Sequence, residues 1–375
     1  MTDPFIHRID PVLLEAGGLY LWWYGLSYAL GFLQIHWFLS RRRRHLALSR
    51  HEVYALSLLV AAGVLLGGRA IEVLFDEWPF YREHPWLVPA YWLGGMATHG
   101  LLLGAALGLL AFTYAYDKPL LELADELVIP GAMLMGLGRI GNFIDGQIVG
   151  SVTDVWWGVQ FPDAAGVRHP VVLYDAAKNL LLVPFLLWVR RTNPTPGATA
   201  ARFVFWYAFL RLFIDLFRDY PTHRLALGTG QTLNIVMALL GALLLWRSHA
   251  RRLGRFPARA PWPPPRQTGD IEPPDSWRQR AALAAVLLFC LTIPSNWTQD
   301  IPKRYGARHA GLEHSWLYPE IDTAPRARPV TSKTPDSGPA RRRPRAWPPR
   351  ARRRRRAAHR DAAMRSVRRP GLPAH

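Results

Sequence analysis

"ELVIPGAMLMGLGRIGNFIDG", residues 126–146, is apolar for most of its length and then sets Arg139, Asn142 and Asp145 three apart. A helix that crosses a bilayer needs roughly 20 mainly apolar residues. A charge at the bilayer centre costs roughly 2.5–3.5 kcal/mol on insertion scales. The stretch therefore reads as the end of a membrane span whose polar side chains are there for a purpose.

Working outward, the run it closes covers about 120–144. Comparable runs cover about 18–39, 51–75, 91–116, 171–189, 202–218 and 230–247. Trp and Tyr flank several of them ("LYLWWYG", "PAYWLGG"), as expected at a membrane interface. The fold class expected is an all-α integral membrane protein with seven transmembrane helices. Basic clusters follow the odd-numbered runs, at 41–44, 190–191 and 247–255. The positive-inside rule then puts the N-terminus outside. "MTDPFIHRIDP" has no basic segment followed by an apolar one, so it does not read as a cleaved signal peptide.

The chain has 375 residues and a net charge of +19. Residues 341–375 hold 14 Arg and one Asp, which supply +13 and leave +6 for the remainder. The charge thus belongs to a low-complexity tail, not to a nucleic-acid-binding fold, and no nucleic acid is expected as a partner. A single Cys excludes a disulfide framework and a cysteine zinc site. No cofactor or metal is expected.

Four segments follow from these shifts: a membrane body over 1–250, a Pro/Arg-rich linker over 251–280, a short apolar helix with a polar segment over 281–324, and a disordered Arg-rich tail over 325–375. The apolar part of the third, "AALAAVLLFCLTIP", has 14 residues. That length suits an interfacial helix or a marginal eighth span equally. Residues 76–90 and 145–170 read as outer segments, the latter as a small extramembrane cap.

Polar residues inside the runs are the functional candidates. Arg69 and Glu72 make an ion pair one reading. Glu122, Asp125 and Glu126 open a helix, where acids suit the dipole. His99 lies among small residues in "GGMATHGLLLG", so a packed histidine and a catalytic one both remain open. Arg139 and Arg211 need anions. Asp145 and Asp215 are one answer; phosphate, which the planar guanidinium grips bidentately, is another. Asn142 and nearby glycines, Gly150 among them, add hydrogen bonding and close backbone approach. A phospholipid-headgroup pocket follows from this chemistry.

"GRIGNFIDGQIVG" (138–150) resembles the signature of the prolipoprotein diacylglyceryl transferase family. So do "WWYG" (22–25), "GGMATHGLLLG" (94–104), "RHPVVLYD" (168–175) and "WYAFLRLFIDLFR" (206–218), in the same order over about residues 15–250. Departures are Asp145 for Asn, Gln147 for Glu, Val172 for Gln, and Asp175 and Asp215 for Glu. The resemblance implies a bacterial inner-membrane enzyme. It would move diacylglyceryl from phosphatidylglycerol to the lipobox cysteine of a prolipoprotein signal peptide and release glycerol phosphate. On that basis His99 accepts the thiol proton, and Arg139 and Arg211 hold the departing phosphate. Tyr24, Asn142, Asp145, Gly150 and Tyr207 contact substrate, and Asp215 orients Arg211. The same departures would also suit a paralogue that binds phospholipid without catalysis or serves another acceptor.

Overall fold

The computed structural model describes residues 4–193, 195–219, 229–253, 277–295 and 299–321, all within one compact unit. The long helices are α1 (Trp23–Arg42), α2 (Arg50–Ile71), α4 (Thr98–Tyr116), α5 (Leu120–Ile144), α6 (Val171–Thr192), α7 (Ala198–Asp215) and α8 (Thr229–Arg252). Two short helices, α3 (Trp78–Tyr81) and α10 (Ile301–Tyr305), and the 15-residue α9 (Trp277–Leu291) complete the set. Five helices are long and apolar enough to cross a membrane, within 50–76, 98–115, 120–144, 171–192 and 230–252. α1, with Gln34, His36 and several Trp and Tyr, and α7, whose 18 residues spread Arg202, Arg211 and Asp215 along their length, fall short of that apolarity.

The expectation of an all-α chain needs correction. Strands β2 (Val12–Ala16) and β3 (Leu19–Trp22) form an antiparallel hairpin, and β1 (Phe5–Ile6) pairs in parallel with β4 (Val159–Gln160). The first helix consequently starts at Trp23, not near residue 18. The third starts at Thr98, not 91, because Gly94 and Gly95 take positive φ (+81° and +89°) and bend the chain before it.

Local chemistry sets the helix ends. Ser49 and Glu52 form a reciprocal capping box at the start of α2. Asp125 accepts the N–H groups of Gly197 and Ala200, both at 2.7 Å, and so caps α7. Glu126 takes Arg42 and Arg190, each at 2.8 Å. Asp125 and Glu126 are therefore structural, and they gather the starts and ends of four helices at one end of the bundle.

α2 and α4 touch backbone to backbone. A Cβ on Gly63 or Gly67 would overlap the carbonyls of Gly104 or Gly100, and one on Gly108 would overlap that of Leu59. This is the small-residue packing that membrane helices use. Arg69, at the end of α2, spends its donors on carbonyls of the 87–94 loop: Val88 and Leu87 at 2.8 Å, Ala90 at 3.2 Å, and Gly94. It ties that loop down.

α9 begins inside the expected linker and packs along α1. Cys290 and Ile293 join the core built around Tyr24, Tyr28 and Phe32. The rest of the linker (254–276) and the tail from 322 onward lie outside the described residues.

Candidate active site

Arg139 and its neighbours lie where six helices converge, at the end of the bundle opposite Glu126. Arg139, near the end of α5, is buried and spends all three nitrogens. Nε donates to Asp175 Oδ2 at 2.6 Å, Nη1 to Asn142 Oδ1 at 3.0 Å, and Nη2 to Thr98 Oγ1 at 2.9 Å. Arg211 on α7 donates through Nη1 to the same Asp175 oxygen, and its Nε pairs with Asp215 Oδ1 at 3.1 Å. The i,i+4 spacing of Arg211 and Asp215 places them on one helix face.

Asp175 is the hub. It is fully buried on α6 and also pairs with Lys178 Nζ at 2.8 Å, one turn along the same helix. Lys178 sits 3.8 Å from the centroid of the Tyr207 ring, a cation–π contact. Three cations face two carboxylates, Asp175 and Asp215, leaving one positive charge in excess. A buried excess of this kind has a use for an anion. Asn179, one turn beyond Asp175, is wholly buried, and neither of its amide atoms has a partner among the described residues.

A second line of hydrogen bonds reaches His99. Asn234 on α8 donates through Nδ2 to Asp215 Oδ2 at 2.9 Å. Its Oδ1 therefore faces His99 Nε2, at 3.3 Å. A carboxylate accepts and cannot donate, so the order of this relay is fixed. His99 carries its proton on Nε2, and Nδ1 is the nitrogen with a lone pair to use.

Most of the expected residues converge. Arg139, Asn142, Arg211, Asp215, Tyr207 and His99 belong to one network. Tyr24 is packed against Gly141, with its hydroxyl 2.9 Å from that of Tyr28. Gly150 lies further out, where its N–H donates to His169 O at 3.1 Å and a Cβ would crowd that carbonyl. Asp145 does not join Arg139. The chain turns at Gly146 (φ +66°), and the Asp145 carboxylate accepts the Ser295 N–H at 2.9 Å instead. Burial pushes that carboxyl up to about 7, against the pull of the Ser295 bond and Arg308.

Thr98, Lys178, Asn179, Asn234 and Ser295 went unseen in the sequence. Lys178 carried the one usable signal, a cation one turn after an acid in an otherwise apolar run.

Outside the network, His7 is buried under the cap, and its Nε2–H donates to Phe143 O at 2.7 Å. Burial lowers its pKa, only partly offset by that bond. Among the described residues no His/Cys/Asp/Glu group has the grouping a metal ion needs.

With this geometry in view, likeness to known proteins is informative. The profile of the prolipoprotein diacylglyceryl transferase family matches residues 11–247. A phosphatidylglycerol–prolipoprotein diacylglyceryl transferase of Geobacter sulfurreducens is 38% identical over 259 residues, covering 66% of this chain and 98% of its own. Proteins of the same name from Nitrosomonas europaea and Aeromonas hydrophila are 37% and 34% identical over 253 and 255 residues. They cover 64% and 65% of this chain and 90% and 92% of their own. All the network residues on α1 to α8 fall inside the matched region. The chain belongs to the prolipoprotein diacylglyceryl transferase family.

Proposed function

We propose that the protein transfers diacylglyceryl from phosphatidylglycerol to the lipobox cysteine of a prolipoprotein, at the outer face of a bacterial inner membrane. The observation that carries this reading is the Arg139–Asp175–Arg211 cluster, with its surplus positive charge beside a histidine of defined tautomer. Seven spans, α1, α2 and α4 to α8, with the N-terminus outside, fit the distribution of charge. Arg41 to Arg44, Arg190, Arg191, Arg251 and Arg252 lie at the Glu126 end, and the cluster lies at the other.

Thiolate is the nucleophile, and an ordinary cysteine with pKa near 8.5 needs a base. His99 Nδ1 takes the thiol proton, and the Asn234–Asp215 relay steadies the imidazolium that results. The thiolate sulfur attacks the glyceryl carbon that bears the phosphate. The new C–S bond forms as the C–O bond breaks, and the electron pair leaves with glycerol phosphate. Arg139 and Arg211 receive the charge growing on that leaving group, a contribution of several kcal/mol where water is sparse. Their guanidinium groups are held in place by Asp175 before substrate arrives. The proton then passes from His99 to solvent or product. Tyr24, Asn142, Gly150 and Tyr207 border the path of the headgroup, and the buried Asn179 amide offers it a donor and an acceptor.

The test is release of glycerol phosphate from phosphatidylglycerol micelles by the purified protein, with and without a lipobox peptide. Release that requires the peptide cysteine supports the transfer. Lipid binding without release would leave a phospholipid-binding relative.

A further inference from the structure

The family match ends at residue 247, yet the chain returns to the candidate site after it. We propose that residues 277–295 form an eighth span and residues 299–321 an outer cap that complete this site, with Ser295 as a positioning residue for Asn142. The positioning role rests on the proposed function; the span does not.

The geometry of α9 carries the first half. At its start, Gln279 Nε2 lies 2.8 Å from His51 Nδ1, at the beginning of α2. Beyond its end, the Ser295 N–H reaches Asp145, past the last turn of α5. These two landmarks stand at opposite ends of the bundle. Fifteen helical residues rise about 22 Å, and the chain from the closing turn at Thr292 to Ser295 supplies the rest of a roughly 30 Å hydrocarbon core. Arg278 and Arg280 sit at the His51 end, the end of the other basic clusters. Gly25 of α1 meets the backbone carbonyls of Cys290 and Leu291 so closely that a Cβ would overlap them. α9 is thus seated in a fitted groove. Its apolar length left the matter open; its packing does not.

The residues that follow build a core with the β2–β3 hairpin and the 87–94 loop. Ile301, Tyr305 and Tyr318 are fully buried, and pack with Leu312 and Ile321 against Val12, Tyr20, Trp22, Ala90 and Leu93. The Tyr20 N–H donates to Tyr318 Oη at 3.1 Å, and Trp92 Nε1 to Leu317 O at 2.8 Å. Asp300 starts α10, accepting the Lys303 N–H at 3.0 Å.

Ser295 joins this segment to the cluster. Arg139 can only donate, so Asn142 must turn its oxygen to Arg139 and its amide nitrogen to Ser295 Oγ. Ser295 O in turn accepts the Tyr305 hydroxyl at 3.1 Å. Gln147 Nε2 donates to that same hydroxyl at 3.3 Å, and Arg308 Nη2 to Asp145 O at 2.9 Å. Asp145 and Gln147 are two positions where the chain departs from the signature, and both face the added segment. They have partners that the matched region alone does not provide.

Two arms test this in the full-length protein. In the first, a cysteine is introduced at exposed Glu313 (Glu313→Cys) or at exposed Leu253 (Leu253→Cys), with buried Cys290 as the silent reference. A membrane-impermeant maleimide on intact cells should label the first and spare the second. Equal protection of both, or labelling of Glu313→Cys only after permeabilisation, overturns the eighth span. In the second, Ser295→Ala should raise KM for phosphatidylglycerol about five- to tenfold, the loss expected for one hydrogen bond. The melting midpoint should stay near wild type, Ser295→Thr should restore KM, and Thr292→Val, whose hydroxyl donates to Phe289 O at 2.8 Å and not to the cluster, should match wild-type KM. Wild-type constants in Ser295→Ala overturn the positioning role while leaving the transfer intact. If wild type itself turns nothing over, the proposed function fails. Stabilisation against heat by phosphatidylglycerol micelles then reads the Asn142–Ser295 contact, and equal stabilisation of wild type and Ser295→Ala overturns it.

Discussion

Replacing Asp175 with asparagine keeps the shape of the hub and removes its charge. In the native protein the carboxylate holds Arg139 at 2.6 Å, Lys178 at 2.8 Å and Arg211, with no exposure to solvent. Asp175→Asn leaves three buried cations facing Asp215 alone, so the excess rises from one positive charge to two. Removing one partner of a buried ion pair costs about 3–5 kcal/mol. At about 2–4 °C per kcal/mol for a chain of this order, the melting midpoint in detergent, followed by tryptophan fluorescence, falls by on the order of 10 °C. A companion change checks the cause. Asp175→Asn with Lys178→Met returns the excess to one, and should recover part of the loss although it removes a further polar contact. A midpoint for Asp175→Asn within a degree or two of wild type would refute the reasoning. So would a double variant that is less stable than the single one.

Four further outcomes are expected. Arg139→Lys loses the three-way fork to Asp175, Asn142 and Thr98, and glycerol phosphate release should fall about 100-fold or more. His99→Gln should lower turnover by about 10²–10⁴, the usual contribution of a general base, while Asn234→Ala should weaken the rate less and displace the pH–rate profile. Gly104→Ala forces a Cβ into the Gly63 carbonyl, and should cost about 1–3 kcal/mol in thermal stability without changing KM. His7 supplies a pH dependence: its folded pKa lies below 6.5, so it is neutral in both states above 6.5 and contributes fully there. As pH falls below 6.5 the unfolded chain takes up a proton first and that stability is lost; His7→Gln should flatten this part of the melting profile.

Much of the body was legible because a bilayer permits few solutions: long apolar runs and polar residues kept only at a price. The run at 120–144 coincides with α5, and Arg139 and Asn142 stand where the spacing put them. Elsewhere hydropathy misjudged the edges. Residues 91–97 are as apolar as a span, but Gly94 and Gly95 break the helix. The strand 19–22 reads as the start of α1 because it carries the same Leu, Trp and Tyr. Partners across helices were beyond reach. Nothing in the local pattern joins Asn234 to His99, and Asp145, six residues after Arg139, lies about a third of a turn round the helix and meets Ser295 instead. The contribution of Ser295 was the least visible, since it lies about 150 residues from Asn142 and depends on where α9 docks.

The central claim is that the Arg139–Asp175–Arg211 cluster serves diacylglyceryl transfer, and mass spectrometry of the acceptor tests it most directly. Purified protein is mixed with phosphatidylglycerol and a lipobox peptide, and the peptide cysteine is examined for a diacylglyceryl thioether. The account predicts that adduct with wild type and none with a folded Arg139→Ala protein. An unmodified peptide beside a working positive control, or an adduct that persists in Arg139→Ala, would contradict it.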